Sequence, residues 1–328
     1  MDDKLKEVLE QYDMKIQNVY RVRGAYILDT DQGLRIIREF RGVPQKAQIT
    51  QNVKKKIAEQ GHPFVDLYVE NKEGNIITEN SMGTPYVLKQ WFQGEDCDLK
   101  KKEHLVRAGR NLAQLHNYMR NIQEEPMEFQ ADTFAETLVK HNRELRRIRT
   151  YIREKKQRNE FELFFLSMFP EFYQQAEEAE SMLKGMDVKQ LYEEVEQNQT
   201  FCHGNYTYHN LVMLPDATAT MDFEKTHMQL QVLDLYDFLR KLMEKSNWKA
   251  GLLKLVLESY ETERPLSSAE KQILQIKLVY PEKFWKITNY YYNRKKSWIS
   301  QKNIEKLQSL QQQKNARQNL LGKLQEVL

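Results

Sequence analysis

The apolar period of this 328-residue chain changes once, near Gln93-Gly94, and that change limits the folds open to it. Before it, apolar residues come in short runs separated by turn residues. Ala25-Tyr26-Ile27-Leu28 and Leu34-Arg35-Ile36-Ile37 are joined by Asp29-Thr30-Asp31-Gln32-Gly33, a linker ending in the glycine that a tight hairpin favours. Further strand-like runs lie at Phe64 to Val69, Asn75 to Thr78 and Tyr86 to Trp91, separated by Asn71-Lys72-Glu73-Gly74 and Ser81-Met82-Gly83-Thr84-Pro85. One helix-like stretch, Gln45 to Gln60, interrupts them. After Gly94, Leu105, Ala108, Leu112, Leu115 and Met119 recur at helical spacing, and the helical period continues to the C-terminus outside the 200s. The Gln-rich tail from Gln308 keeps Leu310, Leu320, Leu321, Leu324 and Leu328 and reads as a terminal amphipathic helix. The pattern predicts an α+β chain of two lobes: 1–93, a small antiparallel sheet with one helix, and 94–328, mainly helical. The length exceeds that of one usual hydrophobic core, which agrees with two lobes and a cleft.

The helical region is broken between Phe201 and Phe223, where Leu211-Val212-Met213-Leu214, a turn at Pro215-Asp216, and Ala219-Thr220-Met221 read as a short hairpin. Its flanks are polar. Asn205 precedes Asn210 by five residues, and Asp222-Phe223-Glu224 follows the hairpin. That is the spacing of a kinase catalytic loop, in which a base Asp stands five residues before a metal-binding Asn and a hairpin leads to a metal-binding Asp. Phosphoryl transfer needs little else: a metal against the phosphates, a cation on their oxygens and a residue that orients the attacking hydroxyl. Asn210 and Asp222 offer the hard oxygens Mg²⁺ takes, and His203 reads as a loop-ordering residue. Each of the four also suits a plain turn hydrogen bond; their common register favours the site. Asp234, in Val232-Leu233-Asp234-Leu235, reads either as a helix N-cap or as a carboxylate tying the loop backbone to that helix.

Composition narrows the function by exclusion. Lys+Arg 50 against Asp+Glu 47 gives a net charge of +3, which demands no nucleic acid. Two cysteines, Cys97 and Cys202, support neither a disulfide framework nor a zinc cage, and His62, His104, His116, His141, His209 and His227 show no metal spacing. Met1 to Asp13 lacks the apolar core of a signal peptide, and no run approaches the roughly 20 apolar residues of a membrane span, so synthesis in a reducing cytosol is the expectation. The basic stretch from Lys140 to Arg158 reads first as a solvated helical face, with an acidic partner as the second reading. The tyrosines near Phe284 and Trp285 read mainly as core.

These residues resemble the aminoglycoside phosphotransferase and choline kinase branch of the kinase-like fold, whose loop reads His-Gly-Asp, then Asn, then Asp-Phe-Asp or Asp-Phe-Glu. Asn111-Leu112-Ala113-Gln114-Leu115-His116 looks like that branch's helix signature. A wider resemblance is carried by Tyr86-Val87-Leu88-Lys89-Gln90-Trp91-Phe92-Gln93-Gly94, Phe201-Cys202-His203-Gly204-Asn205-Tyr206 and Tyr280-Pro281-Glu282-Lys283-Phe284-Trp285-Lys286-Ile287 with Tyr291-Tyr292-Asn293. Together they are similar to the CotS family of spore coat proteins. The resemblance implies a kinase-like fold, synthesis in the mother-cell cytosol, a place in the spore coat and other coat proteins as partners. It also implies ATP and Mg²⁺ as cofactors, with Arg38, Gln90 and Trp91 on the nucleotide and Asn210 and Asp222 on the metal. Asn205, at the base position, departs from that pattern. An amide takes no proton at neutral pH, and a general base contributes typically 10²- to 10⁴-fold. Arg38 replaces the phosphate-pairing lysine and differs from it in shape. Gln45 to Lys56 supplies Gln48 and Gln51 but no acid to pair with it, and Arg23-Gly24 brings one glycine where a glycine-rich loop has several. Two readings stay open: a coat protein on a degenerate phosphotransferase, and an active ATP-dependent phosphotransferase on a small hydroxyl acceptor.

Overall fold

The computed structural model describes residues 3–22, 24–123, 133–293 and 301–328. The chain forms two compact units, 1–126 with 195–237 and 259–264, and 127–194 with 238–258 and 265–328. The N-terminal sheet and the catalytic-loop hairpin therefore fall in the same unit.

The first unit opens with helix α1 (Asp3–Leu9) and strands β1 (Ile16–Val22), β2 (Ala25–Thr30) and β3 (Gly33–Glu39). β2 and β3 are the hairpin read from the sequence: Thr30 pairs with Gly33, whose φ of +91° suits glycine in the turn. Helix α2 (Pro44–Glu59) begins at a proline, which has no N–H to waste at a helix start. The sheet is completed by β4 (Thr78–Glu79) and β5 (Pro85–Gln90) in the order β1-β2-β3-β5-β4. Phe64 to Val69, expected as a strand, pairs only through isolated bridges, Val65 with Thr220 and Tyr68 with Lys89. Asn75 to Thr78 contributes only its last residue to β4.

Alternation in β3 and β5 sorts side chains to two faces. Leu28, Ile37 and Leu88 pack under α1 with Leu5, Val8 and Leu9. Val87 turns the other way, to Ala47 of α2 and to Tyr68. Arg38 lies opposite Val87 in the ladder, and Ile36 opposite Lys89, so Arg38 and Lys89 share the α2 side of the sheet.

Strand β6 (Glu95–Asp96) leads to helix α3 (Lys102–Tyr118), after which β7 (Phe201–Cys202), β8 (Leu211–Met213), β9 (Thr218–Thr220) and β10 (His227–Met228) follow. β8 and β9 form the expected short hairpin, with β6 added at its edge. Asn111 of α3, buried, donates to the Tyr206 hydroxyl (3.0 Å) and to the Thr220 hydroxyl (2.8 Å), fixing the hairpin to the helix.

The other α-helices of the described residues are α4 (Phe134–Glu154), α5 (Glu160–Met182), α6 (Val188–Gln197), α7 (Val232–Lys245), α8 (Ala250–Glu261), α9 (Ser268–Val279), α10 (Glu282–Asn293), α11 (Gln301–Leu321) and α12 (Leu324–Val327). Capping boxes written in the sequence start three of them: Thr133 with Glu136, Asn159 with Glu162 and Ser267 with Glu270. In the second unit, Phe284 stacks against Phe165 and Phe172, and Tyr291 against Phe161. Trp285 stacks on His141 and donates its indole N–H to Glu144 (2.8 Å). Within Tyr280 to Asn293, Tyr280, Phe284 and Ile287 are buried, Trp285, Tyr291 and Tyr292 are partly buried, and Tyr290 is exposed.

Candidate functional site: the loop from His203 to Asp222

The loop is built around one buried carboxylate. Asp234, in the first turn of α7, accepts the backbone N–H groups of His203 (2.6 Å) and Gly204 (2.9 Å) and faces Nε2 of His116 at 3.5 Å. Burial alone would raise its pKa; the hydrogen bond from His116, the two facing imidazoles and the Gly204 N–H outweigh it and hold the group below the ordinary aspartate value. Of the two readings of Asp234, the geometry realises the tie to the loop backbone. Gly204 sits at φ +74°, and a Cβ there would meet the Lys225 carbonyl, so only glycine fits.

His203 is fully buried, which lowers its pKa and keeps the ring neutral. Its Nε2–H donates to the Met221 carbonyl (3.0 Å), and Nδ1 accepts the Asn205 backbone N–H (3.1 Å). The imidazole has no nitrogen left for a substrate. It orders the loop.

Asn210 stands at the base of the hairpin, where its carbonyl accepts the Met221 N–H (2.8 Å), and Asp222 follows one residue on. Asp222 adopts left-handed angles, φ 66° and ψ 54°, a conformation Asp tolerates better than most side chains. Its N–H donates to Asp66 Oδ2 (3.0 Å). Its side chain accepts from Asn205 Nδ2 (2.8 Å), and its other oxygen lies 3.5 Å from Arg38. Asn210 in turn donates Nδ2 to the Asn205 carbonyl (2.9 Å). The structure thus brings Arg38, Asn205, Asn210 and Asp222 into one network. Gln90 and Trp91 lie at and just beyond the end of β5, with their backbone N–H groups already given to the carbonyls of Leu67 (2.8 Å) and Leu34 (3.1 Å).

Four residues not singled out from the sequence complete the network. Lys89 of β5, nearly inaccessible, bonds Asp66 (3.3 Å) and Glu224 (2.9 Å), and Glu224 also pairs with Arg38. Lys54 of α2 reaches the other Asp66 oxygen at 3.5 Å and lies 3.8 Å from the centre of the Tyr68 ring. Gln51, one turn earlier, clips the Tyr68 backbone from both sides at 2.9 Å. Two lysines therefore share one buried aspartate. Asp66 remains ionised: burial opposes this, but Lys54, Lys89 and the Asp222 N–H outweigh it. Lys54 is the strongest of these attractions, and it also donates to the Asp66 carbonyl (2.5 Å). Burial drives Lys54 down from 10.5 to about 7, against the pull of Asp66. A helical stripe could have revealed it, because Thr50, Lys54 and Ile57 fall on one buried face of α2.

The charge count differs from that of a working kinase. There, one lysine meets a helix glutamate, a base aspartate and a metal aspartate, a set of net charge −2 completed by divalent ions. Here Arg38, Lys54 and Lys89 face Asp66, Asp222 and Glu224. With every group ionised the set is neutral without any metal. Asn210 and Asp222 have the right oxygen chemistry for Mg²⁺, yet the Asp222 carboxylate is already met by an amide N–H and a guanidinium. These residues do not fit a divalent ion as they stand. Among the described residues, no group of three His, Cys, Asp or Glu is arranged to hold one, and no helix is long and apolar enough to cross a membrane.

Known proteins share this architecture. The family described as "Spore coat putative kinase YutH" matches residues 5–324. Spore coat protein S of Bacillus subtilis (strain 168) is 27% identical over 129 residues, 39% of this chain and 37% of that protein's length. Among solved structures, an aminoglycoside phosphotransferase from Alicyclobacillus acidocaldarius superposes with a TM-score of 0.86 at 20% identity, over 98% of this chain and 95% of that one. A spectinomycin phosphotransferase solved with ADP and spectinomycin gives 0.64 at 13% identity, covering 94% and 93%. The fold is that of the kinase-like phosphotransferases, with an antiparallel N-terminal sheet and a largely helical remainder.

Proposed function

The chain belongs to the YutH family of putative spore coat kinases, and we propose that it serves the endospore coat as a degenerate phosphotransferase, keeping the fold for assembly or structure rather than for catalysis. The family's description supports a place in the spore coat; made in the mother-cell cytosol, it would join other coat proteins there. The observation that carries this reading is the direction of the Asn205 amide. It gives its N–H to Asp222 where a kinase presents a carboxylate to the acceptor hydroxyl. Loss of a general base raises a barrier by about 3 to 5.5 kcal/mol. A second reading, an active phosphotransferase on a small hydroxyl acceptor using ATP and Mg²⁺, is favoured by the intact placement of Asn210 and Asp222 at the hairpin base.

Two measurements separate these readings. The purified native chain and Asp222→Asn are assayed for ATP consumption with Mg²⁺ and a panel of aminoglycosides and amino alcohols. Tagged forms of both are then followed into the coat fraction of sporulating cells. We expect no turnover above the Asp222→Asn control and equal recovery of both chains from the coat. Turnover that Asp222→Asn abolishes, with failure to enter the coat, would replace the scaffold reading by the enzymatic one.

A further inference from the structure

The ion pairs around Arg38 have an unusual member. Glu224 is the third residue of the Asp222-Phe223-Glu224 triplet and has the most exposed side chain of the charge network, 39% accessible, while the Lys89 it bonds is 4% accessible. Its carboxylate lies between two cations, Arg38 and Lys89, which come from neighbouring strands and the same face of the sheet. A carboxylate held by a guanidinium and an ammonium has the chemistry of a bound phosphate oxygen. The cations behind it are fixed. Lys89 is anchored by Asp66 and Arg38 lies beside Asp222, so both keep a partner if Glu224 swings outward. Without Glu224, Arg38 and Lys89 lose the anion they share, and the exposed edge where the carboxylate had been is left to these two cations.

We infer that Glu224 is a resident anion seated in a phosphate position, and that a di- or triphosphate displaces it and binds to Arg38 and Lys89 without a divalent metal ion. This rests on the degenerate reading above, since the same neutral charge set leaves Asp222 without need of a metal. In a kinase the ion neutralises the phosphates and the two metal-site aspartate oxygens together. Here Arg38 meets Asp222 on one side and the incoming phosphate on the other. The cation is covalently part of the chain. A magnesium-chelated nucleotide presents fewer free oxygens and brings a second cation towards Arg38 and Lys89, so the metal-free form is the better ligand.

The test is calorimetric and thermal-shift binding of ADP and of pyrophosphate to the native chain, Glu224→Gln and Arg38→Gln, in EDTA and in Mg²⁺ at matched ionic strength. The native chain is expected to bind both anions in EDTA, with no gain from Mg²⁺. Glu224→Gln, which keeps the volume and removes the competing charge, should bind roughly tenfold more tightly in EDTA, and Arg38→Gln should lose the binding. If Arg38→Gln does not fold, native against Glu224→Gln still decides the matter. Binding that requires Mg²⁺, a Glu224→Gln affinity equal to or below native, or no binding to either chain in EDTA would overturn the inference. Turnover with Mg²⁺ would overturn the degenerate reading itself, whereas metal-dependent binding without turnover would overturn only the resident-anion assignment.

Discussion

Lys54→Met removes one of the two lysines that share Asp66, and its effect on stability should depend on pH in one direction only. Lys54 is fully buried, and burial lowers its pKa from 10.5 to about 7. Between those values the unfolded chain holds the proton and the folded chain does not. Unfolding then takes up protons, so stability rises with pH across this window. The contribution is at its worst below pH 7, where both states are charged, and the penalty is gone above 10.5. For these two pKa values the native protein gains about 1.6 kcal/mol between pH 7 and pH 8.5. Lys54→Met has no such term. Cys97 and Cys202, whose thiols burial pushes up, act alike in both chains and cancel from the difference. Urea unfolding at three pH values in this interval, followed by circular dichroism, gives the two stability curves at equal m. The native curve should climb towards the variant or past it as pH rises. Parallel curves would refute the loss of the Lys54 proton in the fold, and so would a native curve that falls relative to the variant.

Asp234→Asn should cost about 2 to 4 kcal/mol, because one of two buried backbone donors loses a charged acceptor; thermal denaturation reads the loss, and a change under 1 kcal/mol would show that the loop does not depend on this carboxylate. Since folding depresses the Asp234 pKa, its contribution is present above 3.8 and disappears as pH falls through the lower folded value, so the native-to-variant gap should close in acid. Gly204→Ala meets both a left-handed backbone, φ +74°, and the Lys225 carbonyl. The first alone is worth roughly 1 to 2 kcal/mol, and a total above 2 in chemical denaturation is expected; a neutral substitution would mean that the loop has a second conformation.

The β2–β3 hairpin was legible because its apolar runs and Gly33 report local chemistry, and the spacing of Asn205, Asn210 and Asp222 was legible because it is a covalent distance along the chain. β1 was not. As an edge strand with nearly every side chain exposed, it carries no alternating pattern to read. Lys54 stands in the run Lys54-Lys55-Lys56, three identical residues of which burial selects one; only the stripe with Thr50 and Ile57 marks it. Lys89 and Asp66 are lone charges within apolar runs, Val87-Leu88-Lys89 and Val65-Asp66-Leu67. Their pairing joins residues 23 apart through folding alone. Glu224 carries no separate signal in the sequence, because it stands third in Asp222-Phe223-Glu224, where the spacing marks Asp222 alone.

Asn205, Arg38 and Lys54 make one change rather than three. With a carboxylate at position 205, two anions would stand 2.8 Å apart, the present distance from Asn205 to Asp222, and like charges so close demand a cation between them. The amide removes that demand and supplies a donor in its place. Arg38 then satisfies what is left of Asp222, and Lys54, with Lys89, brings the whole set to neutrality while Lys54 holds its proton, below about pH 7. Restoring Asp at position 205 alone therefore adds one negative charge to a neutral network that already has its cations in fixed places. Magnesium attraction would return only in part, because the set would stand at −1 rather than the −2 of a kinase. On the degenerate reading proposed above, the amide at position 205 and the reduced demand for a metal are coupled through Asp222, whose two carboxylate oxygens are met by Asn205 and Arg38.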